Sequence, residues 1–286
     1  MNRFAIYAVI ICAFIGGFSG IIIKYMSMTA GAIVWLRTVI PAFIFGVWIV
    51  RSRSLFIKCN SRKMIIASFI NACRMYLFIL AFQHTTISNV MILFYSWPIF
   101  VNILSVFFFK ERMSKKQLLF LMMAFVGLII LSSNRTIDHK NKGDYIGVLA
   151  ALCSAIGYAV NVMIFKSEMN NYTKHEIIFY QNIMSALIFL PFFIIDFPNL
   201  TGYDMGWGTL LGILVGTIAV SLFFYGLRYL KASVTSSIMY IEVLSGTILG
   251  YFFFKDTLNA NMVIGGILIV LSSFYIMRES KKNVDI

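Results

Sequence analysis

The chain has 286 residues, 60% of them hydrophobic and only 12% charged, with a formal net charge of +13 and a mean hydropathy of +0.87. A soluble domain is nearer about 45–50% apolar and about 25% charged, so there is too little polar surface here to coat a globule. The composition excludes a soluble enzyme, and the unbroken apolar runs exclude a β-barrel, whose strands alternate polar and apolar residues.

Ten runs approach the roughly 20 residues an α-helix needs to cross a bilayer. They cover residues 4–23, 31–50, 64–82, 88–108, 117–133, 145–166, 175–195, 207–227, 233–254 and 260–277. The first holds Cys12 and the small residues Gly16, Gly17, Ser19 and Gly20. It offers no A-x-A cleavage site and reads as a retained span. The second carries Arg37 and Pro41, and the third carries Asn71 and Arg74 one turn apart. The fourth holds Tyr95, Trp97, Pro98 and Asn102, and the sixth holds Ser154, Tyr158 and Asn161 on one face. Gln181, Asn182 and Pro191 lie in the seventh span. Gly208, Gly212 and Gly216 in the eighth have the small-xxx-small spacing that lets helices approach closely. The ninth contains Ser233, Ser237, Tyr240 and Glu242.

The positive charge divides by side. With the N-terminus inside, the inner segments hold seventeen of the 24 Lys and Arg residues, the outer segments five, and the last two are Arg37 and Arg74 within spans. The positive-inside rule then places both termini in the cytoplasm, and nucleic acid is not an expected partner. The four cysteines, Cys12, Cys59, Cys73 and Cys153, have no CxxC spacing and read as small packing residues. No zinc-ligand spacing or phosphate loop stands out, so no cofactor or metal is expected.

The sequence repeats. Shifted by 145 residues, ISNVMILFYSWPIFVNILSVFFFKERM (87–113) falls on ASVTSSIMYIEVLSGTILGYFFFKDTL (232–258) without a gap. Tyr95 meets Tyr240, Trp97 meets Glu242, and FFFKE meets FFFKD; with slightly smaller shifts Lys24 meets Lys166 and Arg37 meets Gln181. Residues 1–133 and 145–286 therefore form two repeats of five spans, joined by a loop at 134–144. Five is odd, so the second copy is inverted. The fold class is an all-α integral membrane protein of ten transmembrane helices in two inverted repeats. That plan is typical of secondary transporters, which hold their solute near the midplane between the repeats.

These stretches resemble the drug/metabolite transporter superfamily, in its EamA-domain, ten-span form. LAFQHTTISNVMILFYSWPIFVNILSVFFFKERMSKKQLLFLMMAFVGLIIL (80–131) has the family's Pro98, Glu111 and Gly127, and GLRYLKASVTSSIMYIEVLSGTILGYFFFKDTLNANMVIGGILIVL (226–271) has Asp256 and Gly265–Gly266. The resemblance implies a carrier in a bacterial inner membrane. Where the family often reads Y-x-E-P, this chain reads Tyr240-Ile241-Glu242-Val243, so a proline-induced break of the ninth span loses its support.

Glu242 lies roughly 14 Å into its span at 1.5 Å per residue, near the midplane. An acid at that depth faces a partner or a cavity. Arg74 is as deep, and Arg37 is too deep to snorkel easily. Two arginines against one glutamate favour an anionic or zwitterionic solute. The expected solute-binding set is Glu242, Trp97, Arg74, Arg37, Tyr95, Tyr240, Asn102, Tyr158, Asn161 and Asn71. Expected partners are a small-molecule solute, the lipid bilayer and, through Glu242, protons as a candidate coupling ion. The opposing alternatives are an internal ion pair of Glu242 with an arginine and, as another class, an intramembrane serine protease using Ser19 and His84, since Gly17-Phe18-Ser19-Gly20 matches a G-x-S-G motif.

Overall fold

The computed structural model describes residues 3–52, 61–85, 87–110, 114–132, 142–254 and 260–282, all as helices and short connections. Glu111, Lys255, Asp256, Cys59 and most of the 134–144 loop lie outside the described residues. We number the spans α1 to α10. They are α1a (Arg3–Gly16) with α1b (Phe18–Lys24), α2 (Ala30–Arg51), α3 (Ser61–His84), α4a (Ile87–Phe94) with α4b (Trp97–Phe109), and α5 (Lys115–Ser132). The second half comprises α6 (Lys142–Glu168), α7 (Lys174–Asp196), α8 (Gly202–Leu211 continuing through Tyr229), α9a (Ala232–Ile238) with α9b (Ile241–Phe254), and α10 (Ala260–Lys282). Among the described residues, nine helices are long and apolar enough to cross a membrane; the fifth expected span, α5, is an 18-residue helix.

The helices pair so that exchanging the two halves maps one contact onto another. α2 packs on α7, and α5 packs on α10. α3 packs on α6 as α8 packs on α1, and α4b packs on α6 as α9b packs on α1. α5 and α10 lie together, where Gly127 and Gly265 bring the backbones into contact.

Loop contacts sort into two ends. At one, Asp204 accepts from the backbone N–H of Ser27 at 3.0 Å while capping α8 through Thr201, and Asp196 accepts from Thr29 N at 2.8 Å. At the other, Lys63 pairs with Glu168 at 3.5 Å, and Thr173 and Glu176 form a capping box on α7. That second end also carries Lys166, Lys174, Arg228 and Lys231, and we call it the basic end.

α4 and α9 both break within one residue of the same place in the repeat, at Tyr95–Ser96 and Met239–Tyr240. In α4 the break precedes Pro98, which has no N–H to continue the ladder. In α9 there is no proline, and serines take its part. Ser236 and Ser237 turn their hydroxyls back to Ser233 O at 3.1 and 2.7 Å. The following N–H groups of Tyr240, Glu242 and Val243 bond three residues back rather than four. Back-bonding serines bend helices, and the three-residue bonds tighten the turn enough to end it. By contrast α2 and α7 run through Pro41 and Pro191 unbroken.

The glycine row of α8 lies on α2. A methyl group at Gly216 would stand 2.5 Å from Arg37 O, so backbone meets backbone there. Gly216→Val is expected to destabilise by about 1–3 kcal/mol through overpacking, read as a drop in melting temperature of the purified protein. Cys12 is buried as expected, but Cys73 and Cys153 are exposed on the outer faces of α3 and α6 and pack no core.

Candidate functional site

The breaks and close approaches leave a cavity of about 90 Å³ in the middle of the bundle. α1 contributes Cys12, Gly16 and Ser19, one face at helical spacing. Arg37 enters from α2, Asn71, Arg74 and Phe78 from α3, and Phe94 from α4a. Tyr158, Asn161 and Phe165 come from α6, Gln181 from α7, and Glu242 from the start of α9b, beside the break.

Glu242 owes its position to α1. A methyl group at Gly16 would lie 2.5 Å from its carboxyl carbon and Oε1, so only glycine leaves room for the carboxyl. One turn on, Ser245 donates to Ala13 O at 3.1 Å and fastens α9b to α1. Tyr95, from the matching break in α4, lies beside the Glu242 side chain.

The two arginines differ. Arg74 donates through Nε and Nη2 to Asn71 Oδ1 at 3.1 and 2.7 Å, and its guanidinium stands 4.2 Å over the Tyr158 ring. Asn161 Nδ2 donates to the same oxygen at 3.2 Å, and Ser154 donates to Arg74 O at 2.8 Å. Arg74 is thus held in a network. Arg37 feels the charge of Glu242 and the Tyr158 hydroxyl. Among the described residues, it makes no hydrogen bond or ion pair. Its five donors face the cavity unspent. The ion pair set out as the structural alternative for Glu242 does not form with either arginine among the described residues.

Six of the expected residues, Glu242, Arg37, Arg74, Asn71, Tyr158 and Asn161, line one cavity, and Tyr95 reaches it through Glu242. Three do not. Trp97 is 1% exposed and lies behind Tyr158, with ring centroids 4.6 Å apart, so it backs the wall rather than facing Glu242 across it. Asn102 spends its amide on Pro98 O at 2.7 Å and Ser236 at 3.4 Å. Tyr240 is fully buried away from the cavity, and its hydroxyl lacks a partner among the described residues. Ser19 lines the cavity, whereas His84 is exposed at the end of α3 and makes no hydrogen bond to it, so no nucleophile–base pair is assembled.

The wall missed in the sequence is α8. Val215, Ala219 and Phe223 line the cavity at helical spacing. They sit on and just beyond a π-helical stretch, Gly212–Ala219, in which Thr217 donates to Gly212 O at 3.0 Å. π segments are rare and recur at functional sites.

The sequence profile of the EamA-like transporter family matches residues 3–133 and 145–278. An uncharacterized transporter of Archaeoglobus fulgidus is 27% identical over 202 residues, 71% of each chain. An S-adenosylmethionine uptake transporter of Rickettsia felis is 24% identical over 67% of this chain, a match spanning 63% of that relative's length, under two thirds of it. The pseudopaline exporter CntI of Pseudomonas aeruginosa is 21% identical over 89% of this chain and 88% of its own. A solved crystal structure superposes with a TM-score of 0.84 at 14% identity over 99% of both chains, which shows the shared fold. With nearly the whole length matched by the family profile and relatives that are transporters, this multi-pass membrane protein is a transporter of a small molecule, not an enzyme, and belongs to the EamA-like transporter family.

Proposed function

We propose that this protein is a secondary carrier that moves a small polar metabolite, an amino acid or organic anion, across a bacterial inner membrane by alternating access. The observation that carries the reading is the unengaged Arg37 guanidinium in the same cavity as Glu242. A guanidinium is a planar fork matched to a carboxylate. The Glu242 carboxylate beside it suits an ammonium group. A zwitterionic amino acid has both, and the aromatic walls of Tyr158, Phe78 and Phe223 would hold its side chain. One of the relatives takes up S-adenosylmethionine, by its name an amino-acid derivative. In this reading the repeats span 1–133 and 145–286 and rock about the cavity, both termini face the cytoplasm, and Glu242 is the group through which a proton would couple.

Counterflow into proteoliposomes tests the reading. Vesicles preloaded with an unlabelled amino-acid and organic-acid mixture should accumulate at least one labelled member above protein-free vesicles. Accumulation of lipophilic cations alone would contradict it.

A further inference from the structure

We propose that Lys166 is a latch holding the basic end of the carrier shut. The idea rests on the alternating-access reading, but it makes a separate claim about which side is closed and by what.

Lys166 sits in the last turn of α6. Its ammonium donates to Leu230 O at 2.6 Å and stands 5.8 Å from the centroid of the Phe109 ring. Leu230 is the corner between α8 and α9, and Phe109 ends α4b. One cation therefore joins three elements that close the basic end. Its acceptor is the carbonyl just past the end of α8, where the helix dipole is negative, so the bond is charge-assisted and favourably placed.

The layers beneath agree. Phe165 and Phe224, both lining the cavity, meet edge to face at 5.6 Å and floor it toward Lys166. α4b packs on α9a, with Asn102 reaching Ser236 across the contact. Exchange of the repeats turns this contact into one between α4a and α9b at the other end. Among the described residues those two half-helices are not packed together. The cavity is thus shut toward the basic end and parted at the other.

The repeat gives the latch residues sequence counterparts at the other end. Lys166 maps to Lys24, Leu230 to Thr85 and Phe109 to Phe254. Rocking the halves would part the Lys166 set. An interior packed this closely has discrete arrangements rather than a continuum, which is what a latch requires.

Cys12 is a native reporter, since it lines the cavity beside Glu242. With Cys59, Cys73 and Cys153 replaced by alanine, a charged, membrane-impermeant methanethiosulfonate is applied to proteoliposomes from each side in turn. The parent should react faster from the end opposite the basic one. Lys166→Met should raise the rate from the basic end about tenfold, the worth of one charge-assisted hydrogen bond. Lys166→Arg, which keeps a donor, should stay near the parent, and Lys24→Met should not raise that rate. An unchanged rate in Lys166→Met overturns the proposal, as does an equal rise in Lys24→Met, which would mean general loosening. If Lys166→Met does not fold, Phe109→Leu decides the matter by the same readout, with a smaller rise expected and no rise overturning it. Labelling needs no solute. A protein that transports nothing yet shows the shift keeps the latch and loses the transport reading, and the reverse pattern does the opposite.

Discussion

Arg37→Met is expected to weaken solute binding at least about a hundredfold while leaving the fold intact. The argument is the difference between the two buried arginines. Hydrogen bonds to charged groups are worth about 1.5–3 kcal/mol each, and a guanidinium that meets a carboxylate makes two. Arg37 has its donors free for that purpose, because it makes no hydrogen bond or ion pair among the described residues. Removing it deprives the solute of its partner and leaves no protein group orphaned. Arg37→Lys should recover only part of the loss, since an ammonium lacks the fork. Arg74→Met should behave otherwise. It leaves Asn71 Oδ1, which accepts from Arg74 twice, with the Asn161 amide alone, and strips the cation from the Tyr158 ring. Its main effect should be a lowered melting temperature, with binding lost as a consequence of disorder. Thermal unfolding and solute titration on the same preparations separate the two.

Glu242→Gln should abolish transport at nearly constant volume, and its melting temperature should hold or rise. A carboxylate at this depth is costly to keep charged, and no ion pair within the described residues repays it. The amide keeps the shape that Gly16 accommodates and still lies beside Tyr95. What it loses is the negative charge opposite Arg37, and with it the ammonium partner and the site of any coupled proton. Stability gained with function lost is the usual mark of a residue kept for its work. Normal flux in Glu242→Gln, or a large fall in melting temperature, would instead make the acid a structural element.

Much of this arrangement could be read in the sequence, and the residues say why. Spans follow from apolar runs alone. The polar set converged because Arg74, Asn71, Tyr158 and Asn161 keep helical spacing on two helices that pack together. The break in α9 could not be read from proline, since serine back-bonding and a tightened turn produce it, and serines at the same spacing are common in unbroken helices. Trp97 went astray because the repeat fixes which residues correspond but not which way unlike side chains point. A large indole fits behind Tyr158, where a carboxyl would be dry. α8 escaped notice because its cavity face, Val215, Ala219 and Phe223, is apolar, and apolar residues in a membrane span carry no signal until the neighbours are known.

The most direct test of the central claim is a thermal-shift titration of the purified protein with an amino-acid panel and two sets of analogues, decarboxylated and N-acylated. A ligand that binds the native state raises its stability by mass action. The account predicts that at least one intact amino acid stabilises the protein, that both kinds of analogue lose the effect, and that Arg37→Met abolishes it. Equal stabilisation by the decarboxylated analogue, or an undiminished shift in Arg37→Met, would contradict it.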